Sequence, residues 1–190
     1  MRSFYESFWQ DAPVEDEPYE WERRRTLLLA EVRPGERVLD LGCGAGHFLA
    51  ALLDAGAQAV GVDIAEAALE RARTTVPNVD VRLLEDGVIP AGHGEFDLVW
   101  CSEVLEHIPD VAEALYEIRR VLGPGGRLLL TVPNTGLRAR LRFERHFDPL
   151  GQHVRFFTRR SLAHTLEATG FAPVRVSRAG EMLVALATRP

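Results

Sequence analysis

Lysine is absent from this chain, and all 22 basic side chains are arginine. The bias reads as genome composition or a thermophilic lifestyle, not chemistry, although heat adaptation alone does not predict a loss of lysine. Cysteine is nearly absent too: Cys43 and Cys101 stand far apart, each where a strand would end. Their spacing excludes a metal motif, and two isolated thiols suit a reducing cytoplasm better than a disulfide framework. No apolar run approaches the ~18 residues of a membrane span. Internal repeats and low-complexity segments are missing as well. The opening stretch, Met1 to Asp16, is acidic and aromatic with no apolar leader core, so a cytoplasmic location is expected. The formal net charge of -6 argues against nonspecific nucleic-acid binding. That charge is uneven. Residues 134–160 hold seven arginines against Glu144 and Asp148, whereas residues 1–22 are strongly acidic.

What is present points to one soluble domain over residues 1–190: a hydrophobic fraction of 46% and a charged fraction of 26% are ordinary for a globular protein. After Pro34-Gly35 the pattern alternates. Strands are expected at Arg37–Leu41, Ala59–Val62, Val79–Leu84, Phe96–Cys101 and Arg127–Val132. Helices are expected at Gly46–Ala55, Ala65–Thr75 and Asp110–Leu122, the last ending at Gly123-Pro124-Gly125-Gly126. A further helix over Ser161–Thr169 precedes two strands, Val174–Ser177 and Met182–Ala187, separated by Ala179-Gly180. Continuous apolar strands between amphipathic helices imply a parallel sheet covered on both faces. The fold class is therefore α/β: a Rossmann-like, doubly wound, mostly parallel sheet closed by a C-terminal antiparallel hairpin.

The most informative segment is Val38-Leu39-Asp40-Leu41-Gly42-Cys43-Gly44-Ala45-Gly46-His47-Phe48. It reads as a buried strand, a tight turn that a ligand can approach closely, and a helix N-terminus. The third glycine comes one residue too early for the G-x-G-x-x-G of a dinucleotide site, which disfavours an NAD oxidoreductase. Asp63 follows the second strand, 21 residues after Gly42, where a carboxylate can accept both hydroxyls of a ribose. Its competing role is to cap the helix that opens at Ala65.

Asp-x-Gly-x-Gly-x-Gly after a strand resembles motif I of class I S-adenosylmethionine-dependent methyltransferases. The resemblance runs through Phe96-Asp97-Leu98-Val99, Glu103-Val104-Leu105-Glu106-His107 and Arg120 to Gly126, over roughly residues 30–188. The closing Thr158 to Phe171 segment is similar to small-molecule enzymes of that family, including ubiquinone-pathway O-methyltransferases. The resemblance implies S-adenosylmethionine as cofactor and S-adenosylhomocysteine as product. It assigns to the cofactor Asp40, Gly42, Cys43, Gly44 and Gly46 of the turn, with Asp63 and Ile64 after the second strand. Asp86, with Gly87, would accept from the adenine amino group, and the backbone at Ser102 would meet the cofactor's amino group. One of Arg23, Arg24 and Arg25 could reach its carboxylate.

Methyl transfer needs alignment and, for a hydroxyl acceptor, removal of a proton. His107 is the candidate general base, since imidazole titrates near neutral pH; its other role is to organise the loop. Glu103, Glu106, His107 and His153 together also resemble the ligand set of metal-dependent 2'-O-methyltransferases, and a divalent ion there would polarise vicinal hydroxyls. The expected acceptor is a small molecule, anionic or aromatic, methylated at O or N by a monomer or homodimer. A cofactor-binding protein without transfer activity is the reading from another class. Two segments would shape the acceptor site: aromatic N-terminal cap helices over residues 1–30, and a lid over residues 134–157 with Arg138, Arg142 and Arg145 on one helical face.

Overall fold

The computed structural model describes residues 1–11, 17–134 and 154–190. Two helices, α1 (Arg2–Asp11) and α2 (Trp21–Glu31), precede the alternating region. Then follow β1 (Arg37–Leu41), α3 (His47–Asp54), β2 (Gln58–Asp63), α4 (Glu66–Thr75), β3 (Asp80–Leu83) and β4 (Phe96–Ser102). A single 3-10 turn (Leu105–His107) leads into α5 (Val111–Val121) and β5 (Leu122–Pro133). The chain closes with α6 (Arg159–Ala168), β6 (Val174–Ala179) and β7 (Met182–Thr188).

The seven strands form one sheet in the order β3-β2-β1-β4-β5-β7-β6. β1 to β5 pair in parallel, whereas β7 runs antiparallel to both β5 and β6. Successive strand residues feed opposite faces, as the two-residue period of a strand requires. Leu39, Val99, Leu128 and Leu130 pack against Leu115, Ile118, Leu162 and Leu166 on the α5/α6 side. Val38, Leu98, Trp100 and Leu129 pack against Leu28, Leu49, Leu52 and Leu69 on the other. Both faces are buried, which is why these strands read as largely apolar runs. The chain moves outward from β1 through β2 to β3, then returns to place β4 on the other side of β1. Such a reversal opens a crevice at the carboxyl ends of the strands.

The fifth strand differs from its expected extent. It begins at Leu122, which pairs with Phe96, and the register then jumps so that Leu98 faces Arg127. Gly123 to Gly126 form the bulge, with Gly125 at a φ of +75°, and the C-terminal end seals them: Gly125 N–H donates to Arg189 O at 2.8 Å, and Arg189 N–H to Gly126 O at 2.8 Å. A glycine-rich stretch reads as a helix stop in sequence; here a distant partner supplies the hydrogen bonds that make it strand.

The helix ends have local causes. Asp110 accepts from Glu113 N–H at 3.0 Å to start α5, and Thr158 and Ser161 form a reciprocal capping box on α6. Asn134 bridges to Phe157, and Val154 N–H and Arg155 N–H both donate to the Glu106 carbonyl. Both ends of the expected lid segment are thus anchored beside the crevice. Arg138, Arg140, Arg142 and Arg145 lie outside the described residues. Among the described residues no helix is long and apolar enough to cross a membrane.

Candidate active site

The turn after β1 is stitched to β2. Gly42 and Cys43 N–H groups both donate to the Val62 carbonyl, at 2.7 and 3.1 Å. Gly42, Gly44 and Gly46 all adopt positive φ, +78°, +51° and +85°, which side chains with a Cβ disfavour. Space forbids a Cβ as well. One on Gly42 would overlap Val104 Cγ2; one on Gly44 would lie 2.7 Å from the Trp9 ring, and one on Gly46 3.1 Å from the Ala72 backbone. The three glycines therefore admit other parts of the protein as closely as they would admit a ligand.

Two cavities open above this turn. One, of about 500 Å³, is bordered by Asp63, Ile64, Asp86, Gly87 and His107. The other, of about 750 Å³, is bordered by Arg24, Cys43, Gly44, Phe48 and Ser102, with Phe4, Phe8 and Tyr19 above. Trp9, Gly42 and Glu103 border both. Asp40 and Gly46, assigned to the cofactor by resemblance, border neither. Gly46 instead sits against α4, and Asp40 lies beneath the turn, 2% exposed.

Asp63 is held by the turn it serves. Its Oδ2 accepts from Gly44 N–H and its Oδ1 from Ala65 N–H, both at 3.0 Å. Burial pushes its carboxyl upward, opposed by those N–H groups. Each oxygen keeps a lone pair, and the residue borders the smaller cavity. Asp63 is not the cap of α4. The first amides of that helix, Glu66 N–H and Ala67 N–H, donate to Glu6 of α1 at 2.9 and 3.2 Å. A residue sixty positions upstream takes the capping role that local sequence offers to Asp63, and no short-range pattern announces it.

Asp40 has no such support. Its Oδ2 accepts no hydrogen bond among the described residues, and burial, opposed by Arg24, raises its pKa to about 7. A carboxyl whose folded pKa lies above its unfolded value binds its proton more tightly when folded. Its contribution is complete below about pH 4 and is lost as pH rises through about 7. Asp40→Asn is therefore expected to flatten the pH dependence of Tm between pH 4 and 7 and to melt higher than wild type at pH 8. A parallel pH profile for the two proteins, followed by circular dichroism, would contradict this.

Of Arg23, Arg24 and Arg25 on α2, only Arg24 is buried. Trp21, Arg24 and Leu28 share one helical stripe facing the sheet, where Trp21 packs on Phe48 at 5.0 Å and Arg24 lies 4.9 Å over the same ring. The spacing of these three residues was the available signal. Arg24 is 6% exposed, donating from Nε to Ser102 Oγ (2.8 Å), from Nη2 to Ser102 O (3.1 Å) and from Nη1 to Tyr19 O (3.1 Å). Ser102 Oγ lies 2.6 Å from Thr131 Oγ1, which donates to Glu103 Oε1 at 2.9 Å. Since Arg24 only donates and the Thr131 proton goes to Glu103, Ser102 must donate to Thr131. The result is a one-way chain from a buried cation to Glu103, whose φ of +57° turns it out of the strand path. Burial raises the Glu103 carboxyl, while Arg24 and Thr131 oppose the shift.

Glu106 points elsewhere. It is 1% exposed, neither carboxylate oxygen accepts a hydrogen bond among the described residues, and burial pushes its carboxyl well up. Its Oε1 lies 3.8 Å from His107 Nε2, and His107 meets the edge of Tyr5 at 5.9 Å. Among the described residues no three His, Cys, Asp or Glu side chains converge as a metal site. His153, the fourth member of the metal set, lies outside them.

A family model for a methyltransferase domain matches residues 14–176. The chain belongs to that family. The chain is 38% identical over 112 residues to a ubiquinone biosynthesis O-methyltransferase of Thiobacillus denitrificans, covering 56% of the chain and 48% of the relative. It is 33% identical over 156 residues to a probable S-adenosylmethionine-dependent methyltransferase of Mycolicibacterium smegmatis, covering 80% and 59%. The chain thus spans about half the length of these curated relatives. Its fold matches a Thermotoga maritima S-adenosylmethionine-dependent methyltransferase, named a possible histamine N-methyltransferase, with a TM-score of 0.78, 20% identity and both chains covered in full. Family and sheet together place the chain among the class I methyltransferases, a family whose cofactor is S-adenosylmethionine.

The residues present fit that cofactor. A carboxylate with free lone pairs stands at the end of β2, apolar walls flank it, and a buried guanidinium borders the adjoining cavity.

Proposed function

We propose that this methyltransferase transfers a methyl group to an oxygen or nitrogen of a small-molecule acceptor. One observation carries the reading: two cavities meet at the carboxyl edge of the sheet, one beside Asp63 and Asp86, the other beside Arg24 and Gly44. Asp63 would take the ribose hydroxyls and Asp86 the adenine amino group. Arg24 keeps two of its five N–H groups after its three hydrogen bonds, and these suit the methionyl carboxylate. The Cys43–Gly44 backbone and the Ser102 region would border the methionyl part. When bound, the cofactor supplies an electrophilic methyl group on sulfur. The protein's own task is to align the acceptor with it and to exclude water.

His107, on the 3-10 turn at the edge of the smaller cavity, is the general base of this reading, taking the acceptor proton at a ring nitrogen. Phe4, Phe8, Trp9 and Tyr19 supply walls for an aromatic acceptor. The curated relatives favour oxygen, since several are O-methyltransferases of ubiquinone biosynthesis. An anionic acceptor group would answer to the arginines of residues 134–160.

S-adenosylhomocysteine at a hundred times its Kd is expected to stabilise the protein by about 2.7 kcal/mol, which raises Tm by several degrees. No shift would reject the cofactor reading. Transfer of labelled methyl groups to phenols, amines and ribose-terminated RNA then identifies the acceptor class. A Tm shift without transfer to any of them would favour a binding protein over an enzyme.

A further inference from the structure

The acceptor is not the only group the cleft must tell apart: a methyltransferase has to bind a positively charged donor and release a neutral product. The donor consists of a nucleoside part and a methionyl part joined at the sulfonium. With the nucleoside part beside Asp63 and Asp86 and the methionyl part beside Arg24 and Gly44, the joining atom lies where the two cavities meet. The residues that border both cavities are Trp9, Gly42 and Glu103. Gly42 contributes only backbone. The other two are an indole and a carboxylate, the side chains that attract cations by quadrupole and by charge.

We infer that Glu103 and Trp9 form a sulfonium-recognition pair that favours the charged donor over the neutral product, a role that rests on the cofactor placement above. Glu103 is built for it. Thr131 occupies Oε1, and the Arg24–Ser102–Thr131 chain fixes the carboxylate with no ion pair to it among the described residues. A carboxylate already paired with a guanidinium would have little attraction left for a sulfonium. Here the guanidinium sits two hydroxyls away.

Trp9 reaches the junction because α1 is tethered to the frame of the cofactor cleft. Glu6 holds the α4 amides, and Arg2 donates to the carbonyls of Ile64 and Leu84 at 3.1 and 2.8 Å. The helix buries no residue of its own, so these polar ties set where the indole sits. Arg71 also stands 5.9 Å from the Trp9 ring, and its Nη2 donates to Gln10 O at 3.4 Å. The positive charge next to the indole is therefore partly engaged already.

Titration calorimetry on the whole chain tests the pair with three probes: S-adenosylmethionine, S-adenosylhomocysteine and sinefungin, which bears an ammonium near the sulfonium position. Glu103→Gln keeps the volume and the Thr131 contact but removes the charge. It is expected to weaken the two cationic probes about tenfold or more, while S-adenosylhomocysteine moves less than threefold. Trp9→Leu is expected to act in the same direction by about threefold to tenfold. Equal losses for all three probes, or no loss for the cationic ones, would overturn the inference. Failure of all three to bind wild-type protein would instead overturn the cofactor placement, and the inference with it.

Discussion

Asp63→Ala is expected to raise the Kd for S-adenosylhomocysteine by about 100-fold or more. A hydrogen bond to a charged group is worth about 1.5–3 kcal/mol, so loss of two ribose contacts exceeds the ~2.7 kcal/mol that 100-fold requires. The substitution also strips acceptors from Gly44 N–H and Ala65 N–H, so some stability goes with it. The two effects separate experimentally. Calorimetry at a temperature where circular dichroism shows the variant folded reads affinity alone, and thermal melting of the ligand-free protein reads the structural cost. Asp63→Asn, which keeps an oxygen for one amide, should fall between wild type and alanine in both. Unchanged affinity in folded Asp63→Ala would reject the ribose role outright.

Gly42→Ala is the second large effect, and it is one of stability. The new methyl would overlap Val104 Cγ2 at a residue with φ of +78°. Left-handed backbone costs a Cβ-bearing residue about 1–2 kcal/mol, and overpacking a dense site adds about 1–3 kcal/mol. Together they should lower Tm by roughly 5–15 °C for a domain of this size. Val104→Ala in the same chain removes the overlap but not the strained backbone, so the double variant should regain about half of the loss. Gly44→Ala is the informative contrast. Its new methyl meets Trp9 on a helix that buries no residue, so the indole can give way and the cost should approach the backbone strain alone. A Gly42→Ala protein as stable as wild type would mean that ligand access, not packing, demands glycine there.

These expectations also separate what could be read along the chain from what could not. The order of strands and helices was legible because both faces of the sheet are buried. Leu39, Val99 and Leu130 on one side and Val38, Leu98 and Leu129 on the other leave adjacent apolar residues in each strand. The start of β5 was not legible, because its bulge is completed by Arg189, sixty-odd residues away. The turn after β1 was recognisable by its glycines, but their spacing could not say that Val104, Trp9 and Ala72 fill the vacated space. Asp63 carried two roles in sequence, ribose acceptor or helix cap. Glu6 filling the cap leaves the carboxylate turned to the cavity.

Local patterning, then, determined the alternation, the closing hairpin and the acidic strand ends, since each follows from a periodicity of two or 3.6 residues or from a residue's backbone freedom. Tertiary structure alone decided what the buried Arg24 bonds to, which residue caps α4, and which side chains border both cavities. Each of those choices depends on elements far apart in sequence meeting at one edge of the sheet. A hydrogen bond between Glu6 and Glu66, or a chain from Arg24 to Glu103 through Thr131, has no period for a sequence to display.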